Sequence, residues 1–166
     1  MVGKSIRNRT AVEIVPYKPA YRDDFRRLNV EWLEKYFYVE EIDNRVLLDP
    51  EAHILSRGGF IFFALVGSDV VGTAALIKAD NGCYELSKMS VTEGFKGLGI
   101  GRKLALAAIR RFEKTGAREL YLESNSQLTP AISLYESLGF VHQPARRDSE
   151  YRRADVYMLY RPGGAT

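Results

Sequence analysis

One cysteine, one tryptophan, two histidines and three methionines are all that this 166-residue chain holds of four residue types that often carry chemistry. A lone Cys83 excludes an internal disulfide and a cysteine-rich zinc site. It opens a strand-like segment with no recognisable histidine partner, which argues against a thiol nucleophile. His53 and His142 are too few and too isolated to suggest a metal centre, so no metal is expected. No apolar run approaches the roughly 18 residues of a membrane span. The polar start MVGKSIRNRT has no apolar signal core, so a cytoplasmic protein that does not engage a membrane is the simplest expectation. A dominant charge is also missing: 24 Lys plus Arg stand against 21 Asp plus Glu, a net charge of +3. The basic residues fall in short pairs, not in the dense stripe or reading motif that nucleic acid requires.

What is present is ordinary for a globular chain, with 46% hydrophobic and 27% charged residues. The length suits a single domain over 1–166, with 1–10 and 162–166 expected as flexible tails. AVEIVPY (11–17) reads as a first strand ended by proline. Residues 21–37 place Phe25, Leu28, Trp32, Leu33 and Tyr36 along one helical face. A loop and a second helix follow, with Pro50 near that helix's start and Gly58-Gly59 at its end. IFFALVG, DVVGTAALIKA and CYELSKMSV (83–91) form a three-strand meander joined by Gly67-Ser68-Asp69 and Asp80-Asn81-Gly82. Then come a helix at about 99–114, a strand at 118–124, a helix at 128–139 with Gly139 as its C-cap, and two final strands. That order predicts an α/β fold: a mixed, mostly antiparallel twisted sheet with helices on both faces. Exposed sheet edges or the C-terminal strands leave room for a homodimer.

The stretch KGLGIG (96–101) joins the third strand of the meander to a helix. A dinucleotide site would need G-x-G-x-x-G in a βαβ unit, and the strands before this one form a meander. An ATP loop would need G-x-x-x-x-G-K followed by Ser or Thr, which is absent. A turn without a ligand and an anion site remain. A helix start offers unpaired N–H groups and partial positive charge, and glycine lets a phosphate approach them. Lys96 and Arg102 add charge, so the local chemistry favours an anion.

With ELSKMSVTEGFKGLGIGRKLALAAI and YLESNSQLTPAISLYESLGF before it, the sequence from about Val12 to Tyr160 resembles the GCN5-related N-acetyltransferase (GNAT) family. The family's pyrophosphate motif falls on Lys96, Gly99 and Gly101. Lysine departs from the usual glutamine or arginine and lacks arginine's planar fork. The resemblance implies acetyl-CoA as the acyl-donating cosubstrate. It implies that the backbone of Met89 and Val91 pairs with the pantetheine arm and the thioester carbonyl. Backbone groups of Lys96, Gly97, Leu98, Gly99, Ile100, Gly101 and Arg102 would hold the pyrophosphate, and Asn125 would contact the arm. Splaying of the parallel strands at 83–91 and 118–124 would open the slot for it.

Amine attack on a thioester requires loss of an ammonium proton, stabilisation of the carbonyl oxygen and departure of a thiolate. Helix periodicity can turn Tyr135 inward, and the resemblance makes it the candidate general acid. Glu85 is the candidate general base; the alternation places it with Ser87 and Met89 on one strand face, opposite Leu86 and Lys88. The bland alternatives are a core tyrosine and a glutamate that is exposed or paired with a lysine. Glu40, Glu41 and Asp43 are expected near the acceptor, where carboxylates could hold a cationic amine, with Trp32, Tyr36, Phe37 and Tyr38 as core or as an apolar wall. The acceptor is an amine on a small molecule or a protein. The competing class is a non-catalytic module that binds CoA or acyl-CoA for sensing or assembly.

Overall fold

Alternate residues of Phe60–Val66 face opposite ways, and this divides the molecule into layers. Ile61 and Phe63 join one buried cluster with Phe25, Leu33, Leu47 and Ile54, while Phe62 and Ala64 join another with Ile100, Leu104, Leu122 and Tyr135. The computed structural model describes residues 11–146 and 148–163. The expected tail 1–10, and residues 164–166 of the expected tail 162–166, lie outside the described residues.

The elements run β1 (Val12–Pro16), α1 (Arg22–Tyr36), α2 (Glu41–Leu48), β2 (Phe60–Val66), β3 (Asp69–Ala79) and β4 (Cys83–Val91), then α3 (Ile100–Thr115), β5 (Glu119–Ser124), α4 (Thr129–Leu138), β6 (Phe140–Gln143) and β7 (Val156–Tyr160). They form a seven-stranded sheet of order β1-β2-β3-β4-β5-β7-β6. Every neighbouring pair is antiparallel except β4 with β5. The mixed, mostly antiparallel sheet with helices on both faces is therefore present: α1 and α2 cover one face, and α3 and α4 pack with the core of the other. No described helix is long and apolar enough to cross a membrane.

The second helix differs from expectation. α2 begins at Glu41, well before Pro50, because a capping box starts it there: Asp43 accepts from the Glu40 N–H at 3.0 Å, and Glu40 caps in return. Pro50 instead precedes a separate π-helical turn, Glu51–Leu55. Proline supplies no N–H, which suits the start of a helical segment and not its middle.

Strand β4 also departs from simple alternation. On β3 the step from Ala75 to Thr73 takes two residues, while their partners Ser87 and Ser90 are three apart. The extra residue is a bulge, and Lys88 within it has φ of 54°. For a residue with a Cβ, that left-handed conformation costs on the order of 1–2 kcal/mol. The bulge shifts the phase of the strand. Lys88 therefore reaches Asp43 of α2 and Ser90 reaches Leu28 of α1, while Met89 packs into the opposite cluster with Ile100 and Leu104. Glu85 thus shares its face with Ser87 and Lys88, not with Met89.

Candidate active site

Strands β4 and β5 pair only at Cys83 with Glu119, Tyr84 with Leu120 and Glu85 with Tyr121. Both strands continue, to Val91 and Ser124, with no further pairing between them. The sheet thus splays at Glu85. The edge of β4 that faces β5, including Met89 and Val91, is left without a strand partner. A cavity of about 550 Å³ opens in the split, lined by both strands, the glycine loop, the start of α3 and the side of α4.

The glycine loop forms the mouth. Gly97 and Gly99 have φ of 81° and 77°, where side chains are strained, and a Cβ on either would meet nothing within 4 Å. The first main-chain bond of α3 runs from the Lys103 N–H to the Gly99 carbonyl. The N–H groups of Ile100, Gly101 and Arg102 therefore lack intrahelical acceptors, and no side chain caps the helix. Gly101 is the informative position. It is helical, and a Cβ there would lie 3.6 Å from Leu134 Cδ2, an ordinary contact. Neither conformation nor packing demands glycine at 101, although glycine weakens a helix relative to alanine. Its effect is to leave the backbone at the cavity mouth uncovered by a side chain.

The charged side chains at this mouth are engaged. Lys96 donates to the Tyr36 hydroxyl at 2.6 Å and pairs with Glu93 at 2.9 Å. Arg102 donates to Ser137 Oγ at 2.7 Å. Leu98 is exposed at the tip. Backbone donors are left as the free groups of the loop.

Deeper in, Glu85 is 9% exposed and its carboxyl is pushed up to about 7. Burial is the main cause and the Glu123 carboxylate adds to it, while Lys88 and Ser87 pull the other way. Tyr135 is buried on α4, edge-on to Phe140 with ring centroids 5.9 Å apart. Burial pushes its hydroxyl up to about 12. The fold thus lines one cavity with a carboxyl that titrates near neutrality and a tyrosine that keeps its proton. Asn125 is on the same wall, but its side chain is already used: Nδ2 donates to the Arg153 carbonyl at 2.7 Å, and Oδ1 accepts from the Gln127 N–H at 2.9 Å.

A model of the acetyltransferase (GNAT) family matches residues 18–140. The chain belongs to that family. The uncharacterized N-acetyltransferase YjgM of Escherichia coli K12 is 39% identical over 99 residues, spanning 57% of this chain and 59% of YjgM, less than two thirds of its length. A GNAT-family acetyltransferase from Staphylococcus aureus Mu50 shares the fold, with a TM-score of 0.82 at 23% identity over 90% of this chain and 98% of that one. The PaiA N-acetyltransferase of Thermoplasma acidophilum, solved in complex with coenzyme A, matches with a TM-score of 0.69 at 20% identity over 90% and 98%.

On the α1 and α2 side of the cavity, Glu40 and Asp43 do not present free carboxylates to a cation. Asp43 is fully buried between Lys88, at 2.8 Å, and Arg153, at 2.9 Å, and Arg153 also binds Glu40 at 2.7 Å. Burial opposes a charge on Asp43, but the Arg153 guanidinium and the Lys88 ammonium hold its carboxyl below the usual range. Glu41 is exposed on α2. Trp32 and Phe37 are half-buried and Tyr36 lies at the rim, and the Trp32 ring packs tilted against Tyr36 at 5.5 Å and against Phe37 at 5.6 Å between centroids. Tyr38 is exposed.

Sequence reading missed Glu123, Lys88, Tyr151 and Arg153 as parts of this site. Glu123 was legible: it stands two residues past Tyr121, the partner of Glu85, so period-two alternation puts it on the same face. The other three come together through the bulge and the segment before β7. His142 sits away from the cavity, exposed and 3.4 Å from Glu136. Among the described residues, no group of three His, Cys, Asp or Glu side chains is arranged to hold a metal.

Proposed function

We propose that the protein transfers an acetyl group from acetyl-CoA to a primary amine, on a small molecule or a protein, by direct attack in a ternary complex. The observation that carries this reading is the parting of β4 and β5 beyond Glu85, with a glycine-rich helix start at its mouth. The pyrophosphate rests on backbone groups of the Lys96–Arg102 stretch. The pantetheine arm follows the unpaired edge of β4 past Val91 and Met89, with Asn125 holding the opposite wall. The acetyl-CoA complex of this chain is the donor state, and the domain spans the chain.

In the reaction the amine nitrogen attacks the thioester carbon. Glu85, directly or through one water, takes the proton that the ammonium must lose. The new C–N bond forms as the C–S bond breaks, and the thiolate takes the Tyr135 proton. A carboxyl near 7 beside a second carboxylate, Glu123, suits both attraction of an ammonium and acceptance of its proton. Thioester reactivity leaves much of the remaining acceleration to positioning.

Two measurements test the reading. Calorimetric titration should show saturable binding of acetyl-CoA and CoA but not ATP. Acetyl-CoA-dependent thiol release should then depend on a primary amine from a panel of a diamine, an amino-acid amide and a peptide with a free N-terminus. CoA binding with no release for any amine would favour the non-catalytic module. No binding at millimolar acetyl-CoA would remove the reading altogether.

A further inference from the structure

Lys88 occupies a position that rarely takes a lysine. It sits in the left-handed bulge of β4, and its side chain is 4% exposed. Its ammonium donates to Asp43 at 2.8 Å and to the Tyr151 hydroxyl at 3.1 Å, and lies 4.8 Å from the Tyr151 ring centroid. Arg153 lies 4.7 Å from the same ring centroid and ties Asp43 to Glu40. Two cations thus meet two carboxylates across α2, β4 and the segment before β7.

Stability alone explains this poorly. A buried ion cluster is often no better than apolar residues of equal volume, and the bulge conformation adds strain for a residue with a Cβ. The location explains more. Lys88 lies three residues past Glu85 on the same face of the sheet. From β5, Glu85 is faced by the carboxylate of Glu123, which disfavours its ionisation, and by the neutral Tyr121 hydroxyl. From the segment before β7 come Glu150, which also disfavours it, and the neutral Tyr151. From β4 itself, Ser87 and Lys88 favour the charged form. Behind Lys88, Asp43 and Glu40 balance Lys88 and Arg153, so the cluster as a whole carries no net charge and Lys88 is its one member on β4.

We infer that Lys88 is a positioning residue for acetyl transfer: a buried cation, fixed by Asp43 on the cavity face it shares with Glu85, that favours the carboxylate form of Glu85 and pins Tyr151 against the acceptor side of the cleft. Lys88 exchanges no proton itself; Asp43 fixes where its charge stands. The inference rests on Glu85 as the base.

The test is a ¹³C-carboxyl NMR titration of Glu85, with the signal assigned by its loss in E85Q, in wild type, K88R, K88M and the double variant D43L/K88M. The double variant removes both charges of the pair, so its Glu85 midpoint should move less than that of K88M; K88Q serves if K88M fails to fold. With the cation gone, the Glu85 midpoint is expected to rise by about one unit or more, and K88R should return it toward the wild-type value. The acid limb of amine-dependent thiol release should move with it. A Glu85 midpoint unmoved in folded K88M or K88Q overturns the role given to Lys88, whatever happens to the melting temperature. E85Q with undiminished amine-dependent release would instead overturn Glu85 as base, so the two failures are separable.

Discussion

The Lys88 ammonium lies 2.8 Å from a carboxylate oxygen of Asp43, and both side chains are almost completely withdrawn from water. Removing one charge from such a pair leaves the other desolvated and uncompensated, which costs about 3–5 kcal/mol. D43N should therefore lose stability on that scale, and D43L/K88M should recover much of it. Urea denaturation of the three proteins checks the order.

The glycines of the loop should separate by conformation. G99A places a Cβ at a φ of 77° and is expected to destabilise the protein by about 1 kcal/mol. G101A has a helical backbone and room for a Cβ, so thermal melting should show it unchanged or more stable by up to about 1 kcal/mol. Calorimetry should nevertheless show weaker CoA binding in both. A G101A protein that binds CoA as tightly as wild type would remove the pyrophosphate from that backbone.

Glu85 links catalysis to pH. With its carboxyl near 7, kcat/KM should rise as pH increases toward and through 7, and E85Q should flatten that limb with a rate loss on the order of 10²-fold. Stability should move the opposite way. The folded carboxyl holds its proton to higher pH than the unfolded one, whose ordinary value is 4.5, so stability falls as pH rises from about 4.5 to 7. The fall is on the order of 3 kcal/mol, and E85Q should be free of it. Denaturation midpoints at pH 5 and pH 8 for both proteins give the sign.

Tyr135 is raised to about 12 by burial, so it stays protonated throughout the working range. Y135F should lower kcat by about 10²-fold while the acetyl-CoA dissociation constant changes little. No alkaline limb from this hydroxyl is expected below pH 10. Steady-state rates from pH 6 to 10, with calorimetry alongside, test both points.

Local pattern determined much of this protein. Period-two alternation fixed the strands, the glycines fixed where α3 begins, and the spacing of α4 turned Tyr135 inward, because each depends on neighbours a few residues away. The splay between β4 and β5 was expected from family resemblance, and its starting point at Glu85 is a matter of register. The tertiary structure decided the charges. Lys88 meets Asp43 across 45 positions of sequence, and Asp43 meets Arg153 across 110. No spacing rule carries such pairings. One extra residue in β4 turned Lys88 toward Asp43, and two of the carboxylates that sequence left free for a cationic acceptor, Glu40 and Asp43, became partners of the protein's own cations. Whether a strand bulges depends on its pairing with the next strand, so the face presented by Lys88 was set only when β3 and β4 came together.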